Sequence, residues 1–119
     1  MSDFYPKSLM VSMSALQERM GEDIKVLDVR DVSTVTNYFV LATGTSTPHL
    51  RSLAEELNQA RKREGLKGVR TTGDTASGWM VVDFGDVVVH LMTADLREFY
   101  ALEKLWSDAK TVDPEQVMG

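Results

Sequence analysis

The chain has 119 residues, enough to bury one real core but not two, and its 43% hydrophobic and 26% charged residues are those of an ordinary globular domain. No run approaches the roughly 20 apolar residues of a membrane-spanning helix, and the absence of cysteine excludes disulfides, thiolate catalysis and cysteine-ligated metals, and suits a reducing cytosol. Eighteen acidic against thirteen basic residues leave a formal charge of −5, which argues against unaided long-range attraction to nucleic acid.

The opening MSDFYPKSLMVSMSALQ has an acid at position 3 and no basic segment before an apolar one, so it is expected to be neither a secretory signal nor a transit peptide, which favours a bacterial cytosol. Leu9, Met13, Leu16 and Met20 recur at helical spacing and predict a helix from about Ser8 to Met20, stopped by Gly21. A strand is expected from Ile24 to about Val29, then a polar turn in DVSTVTN, then a strand in the apolar run Tyr38 to Thr43. A second helix is well punctuated, with Ser46 or Thr47 as cap, Pro48 in its first turn, a stripe of Leu50, Leu53, Ala54 and Leu57, and Gly65 at its end.

KGVRTTGD reads as a short, marginal strand. Next comes WMVVDFGDVVVHLM, in which ten of fourteen residues are apolar and Gly85-Asp86 marks a hairpin turn between Trp79–Phe84 and Val87–Met92. A last helix opens near Thr93 to Asp95 and runs through LREFYALEKLWSDA, with Leu96, Phe99, Leu102, Leu105 and Trp106 mostly on one side and Tyr100 at the margin. This order predicts an α/β fold: a mixed sheet of about five strands with helices packed on it. A single domain is expected over 1–107, followed by a loosely held tail over 108–119, where no periodicity is visible.

Catalytic chemistry finds little to work with. Gly44-Thr45-Ser46 lies between a strand and a helix N-terminus, where a phosphate cradle is geometrically feasible, but the loop lacks the Gly-Lys-Ser/Thr ending of a P-loop and the second glycine of a nucleophile elbow. Asp83 and Asp86 flank the hairpin turn, a place where turn chemistry accounts for them without a divalent metal. His49 and His90, the two histidines, have no partner at metal-ligand spacing. No cofactor or metal is expected. Arg61, Lys62, Arg63, Lys67 and Arg70 form a basic group against Glu64, read as a solvated helix end or, as the alternative, a minor phosphate contact.

Three ordered motifs, YFVLATGTS, W-x-V-V-D-F-G-D-V-V-V-H and R-E-F-Y-x-L-E-K-L-W, make the chain from Asp31 to Trp106 resemble the ribosomal silencing factor family, also called Iojap-like. The resemblance implies a nucleotidyltransferase-like topology without the catalytic Asp-x-Asp that should follow Gly44-Thr45-Ser46. It implies no enzyme but a cytoplasmic protein that binds protein fourteen of the large ribosomal subunit, blocks joining to the small subunit, and represses translation when nutrients are short. The binding face it implies is Trp79, Phe84, Asp86, His90, Met92, Arg97 and Tyr100, with Glu103 and Trp106 matching the last motif.

Strand alternation sets Met80, Val82 and Phe84 against Trp79, Val81 and Asp83. Which of Trp79 and Phe84 faces outward stays open, as does a contact of the basic group with ribosomal RNA. The alternative reading is a nucleotide-binding or nucleotidyl-transferring enzyme using Gly44 to Ser46. The apolar hairpin face could also close a homodimer off the ribosome.

Overall fold

A computed structural model describes residues 5–34, 36–66, 70–101, 104 and 109–118. The first helix, α1 (Lys7–Glu18), starts behind Pro6 and buries Leu9, Met13 and Leu16 completely. It stops two residues before the expected point. Met20 takes the left-handed conformation (φ +60°), and the Gly21 N–H returns to the Leu16 carbonyl at 2.8 Å. Glycine is the usual occupant of such a position, so Gly21 pointed at the right turn but not at the residue that makes it.

Strand β1 (Glu22–Asp28) carries an irregularity between Glu22 and Lys25, where Asp23 sits at φ +47°. In the turn that follows, Arg30 doubles back onto the Asp28 carboxylate at 3.0 and 2.7 Å, which holds that carboxyl below its ordinary value. Strand β2 (Tyr38–Thr43) occupies the apolar run as expected. In α2 (Thr47–Arg63) the Ser46 hydroxyl accepts the His49 N–H at 3.2 Å as an N-cap, and Pro48 stands in the first turn.

Among the described residues there follow β3 (Arg70–Asp74), a single 3-10 turn (Thr75–Ser77), β4 (Trp79–Asp83), β5 (Val87–Met92), α3 (Ala94–Tyr100), β6 (Lys110–Val112) and α4 (Pro114–Met118). Among the described residues the strands form one six-stranded mixed sheet in the order β3-β4-β5-β2-β1-β6. All neighbours are antiparallel except the central pair, β2 and β5, where Tyr38 pairs with Val87 and Thr43 with Met92. The sequence argued for about five strands, and the sixth, β6, comes from the segment expected to be loose. Lys110–Val112 lie on β1, and Val112 and Val117 are buried in the main core. A three-residue strand and a single buried valine in each element are too little pattern to read in a sequence.

The core lies between the sheet and the α1/α2 layer, with Leu50, Leu53 and Leu57 of α2 fully buried against Val40, Val89 and Leu91. Each such leucine contributes roughly 1.5–3 kcal/mol relative to an exposed one. A smaller cluster of Leu27, Val29 and Leu41 lies on the opposite face, joined by Phe39 and Ala109. The last helix also departs from expectation. It ends at Tyr100, because Ala101 adopts φ +46° and its N–H closes on the Arg97 carbonyl at 2.9 Å. An alanine inside an unbroken helical pattern gives no hint of that break. Leu102, Glu103, Leu105 and Trp106 lie outside the described residues.

Candidate docking face

The hairpin puts its two aromatic residues on opposite sides of the sheet. Val82 and Phe84 face α1 and α2, and Phe84 is 8% exposed within the main core. Trp79 and Val81 face the other way, opposite Met92 and His90 of β5. On that outer face the Trp79 indole N–H donates to Nδ1 of His90 at 3.2 Å. The bond requires Nδ1 to be an acceptor, so the proton of the neutral ring is on Nε2. Burial pushes the His90 pKa down to about 4, which keeps the ring neutral and the bond intact near pH 7.

Around this pair runs a line of rings. The Phe39 ring is 5.5 Å from that of His90, the His90 ring 6.0 Å from that of Trp79, the Trp79 ring 4.8 Å from that of Tyr100, and the Tyr100 ring 5.0 Å from that of Phe99. All are tilted or edge-on, the geometries aromatic quadrupoles prefer. The line crosses β2, β5 and β4, then climbs onto α3. There it ends in solvent, with Tyr100 45% and Phe99 77% exposed.

Of the residues assigned to the binding face, Trp79, His90 and Tyr100 therefore come together. Four do not present themselves in that way. Phe84 is a core residue, because strand parity turns it toward the helices. Met92 (1% exposed) is covered at the end of β5. Arg97 (6% exposed) points inward, its Nη1 donating to Thr43 Oγ1 at 2.9 Å and standing 3.8 Å from the Asp23 carboxylate. It thereby fastens α3 to the ends of β2 and β1 and holds Tyr100 over Trp79. Asp86 lies at the turn of the hairpin, where its Oδ1 accepts the Ser8 hydroxyl at 2.7 Å and its carbonyl accepts the Asn37 and Tyr38 N–H groups at 3.1 Å. Phe39 and Phe99, which also stand in this line of rings, were not among the residues assigned to the face. Phe39 was masked by an apolar run with no alternation, and Phe99 by its place on the apolar side of a helix expected to continue.

Three backbone donors in and just after the Gly44–Ser46 loop are already engaged. Gly44 N–H bonds the Met92 carbonyl at 2.9 Å, Thr45 N–H bonds Nδ1 of His49 at 2.9 Å, and His49 N–H bonds Ser46. His49 Nε2 in turn lies 2.8 Å from the Arg19 carbonyl, so the imidazole clasps the loop to the end of α1. Asp83 accepts the Gly85 N–H at 2.7 Å in the hairpin turn. Among the described residues, no three histidine or acidic side chains converge as a metal site would require.

A family model described as "Ribosomal silencing factor during starvation" matches residues 3–118. The chain belongs to the ribosomal silencing factor family. It is 33% identical to the ribosomal silencing factor of Halalkalibacterium halodurans over 93% of this chain and 95% of that one. It is 39% identical to the mouse protein named "Mitochondrial assembly of ribosomal large subunit protein 1", over 80% of this chain and 43% of that one. A crystal structure of a Chromobacterium violaceum protein superposes with a TM-score of 0.81 at 32% identity, covering 85% of this chain and 84% of that one. The mixed α/β fold is thus the fold of this silencing factor family. Among the described residues, no helix is long and apolar enough to cross a membrane.

Proposed function

We propose that this silencing factor is a steric block on ribosome assembly: a cytoplasmic, non-enzymatic protein that docks on the large subunit, chiefly on its protein fourteen. Occupying that place prevents the small subunit from joining and represses translation under nutrient limitation. The observation that carries the reading is the line of rings from Phe39 to Phe99, whose inner members are locked by packing and whose outer members, Tyr100 and Phe99, reach solvent. Pre-ordered tryptophan and tyrosine side chains are favoured anchors at protein contacts, since little side-chain freedom is left to lose on binding.

Family membership supports the silencing role, and the printed name of the mouse relative supports the large subunit as the place of action. The basic group adds at most a minor contact to ribosomal RNA. Arg63 is engaged by Glu56 at 2.7 Å and Arg61 by the Leu66 carbonyl at 3.2 Å, and Lys67 lies outside the described residues. The test is a sucrose-gradient run of the protein with separated subunits, paired with light scattering of subunit joining. Co-migration with the large subunit and reduced joining are expected. Unaltered joining at saturating protein would sink the proposal.

A further inference from the structure

Among the described residues, His90 uses only one of its two ring nitrogens. Nδ1 accepts the Trp79 indole N–H at 3.2 Å, which leaves the proton of the neutral ring on Nε2. The ring's neighbours on the outer face are Val81 across β4, Leu41 across β2, and the Phe39 ring at 5.5 Å, and none of these side chains carries an acceptor. An N–H sealed among such groups is strongly destabilising. Nε2 escapes that fate because His90 is only half-buried, and the nitrogen is not one of the polar atoms shut inside without a partner. It meets water on the open side of the sheet.

A protein laid over the line of rings expels that water, and the donor must then be met from the other side or be stranded. Its place between Phe39 and Trp79 is the middle of the line, where no rim water can substitute. Its direction is set beforehand, since the bond to Trp79 fixes both the tautomer and the ring. A carboxylate is a poor match: it would lose its hydration among apolar groups, beside Asp83 on the same face and on a chain of formal charge −5. A side-chain amide would bring two further N–H donors to a ring whose acceptor, Nδ1, is already taken, whereas a main-chain carbonyl can arrive alone.

We infer that His90 is the specificity-determining donor of the docking face, its Nε2–H bonding a main-chain carbonyl of the docked protein; the inference rests on the proposed docking to the large subunit. Trp79 then has two tasks, to supply contact area and to hold the histidine proton on the nitrogen that faces the partner. A surface that is merely apolar is rejected, because it buries the donor unpaired.

Nitrogen-15 NMR of the imidazoles in the free chain, at about pH 7, should show the His90 proton on Nε2. A proton on Nδ1 overturns the proposal whether or not the chain docks. The second measurement is affinity for isolated large subunits. His90→Asn sets an amide oxygen where Nδ1 stood and nothing where Nε2 stood, while His90→Gln carries an amide N–H out to the Nε2 position. Affinity should fall about tenfold in the first and be largely rescued in the second. Circular dichroism melts verify folding, and His90→Phe, which keeps a ring without a donor, replaces an asparagine variant that does not fold. If the wild type binds and the asparagine variant binds equally well, or the glutamine variant falls as far, the donor role is overturned while the docking stands. A wild type that does not bind overturns the docking and the donor role with it. An alanine replacing a polar side chain of the partner that reproduces the loss, with no further loss on adding His90→Asn, overturns the assignment to a main-chain carbonyl.

Discussion

Acidification should unlock the docking face from beneath, through His90. Its folded-state pKa is about 4 because of burial, against 6.5 for the exposed ring. Between those values the unfolded chain binds a proton that the folded chain refuses, so the contribution of His90 to stability is complete above about pH 6.5 and is lost as pH falls toward 4. A separation of about 2.5 units at 1.36 kcal/mol per unit bounds the total at roughly 3 kcal/mol, of which about 2 kcal/mol is lost between pH 7 and pH 5. Protonation also removes the acceptor for the Trp79 indole, so rings and charge act in the same direction.

The assay is urea unfolding followed by circular dichroism at half-unit steps of pH, on the wild type and on His90→Gln, which keeps an acceptor but does not titrate. The wild type should lose about 2 kcal/mol more than the variant between pH 7 and pH 5. Parallel curves for the two proteins over this window would refute the argument that burial keeps His90 neutral.

The two hairpin aromatics should behave in opposite ways. Trp79→Ala should weaken large-subunit binding by about tenfold or more while the fold survives with a lowered melt, as gradient sedimentation and circular dichroism would show. Phe84→Glu places a charge in the core, at a cost of several kcal/mol, and should abolish the cooperative melt; a retained melt would mean that the side chain is not held inside. Gly44→Ala should destabilise by about 1–3 kcal/mol, because a Cβ there would lie 2.6 Å from Leu50 Cδ2. Ending the chain after Ala109 removes the buried Val112 and Val117 and should lower stability by about 3 kcal/mol in urea titration.

What could be read in advance follows from the strength of local pattern. The stripe of α2 and its Ser46 cap, the Gly85-Asp86 turn and the apolar β2 run are each signalled by several residues acting together, and their positions were legible. The break at Ala101 and the β6–α4 ending depend on a few contacts between distant parts of the chain, so no window of sequence contained them. For the candidate docking face, the resemblance pointed to the hairpin whose outer side carries Trp79 and His90. Parity could separate Trp79 from Phe84 but not say which side the helices cover, a matter decided by where α1 and α2 pack. The burial of Arg97 was invisible for the same reason: its partners, Thr43 and Asp23, are more than fifty residues away along the chain.

The parallel seam between β2 and β5 sets the order in which this molecule can come into being. The antiparallel pairs β1–β2 and β4–β5 join neighbours along the chain and can form early, but Tyr38 meets Val87 only after α2, β3 and β4 have been bridged. The line of rings crosses that seam between Phe39 and His90. A chain still emerging from a ribosome can therefore hold both halves of the sheet and yet lack the line of rings that joins them.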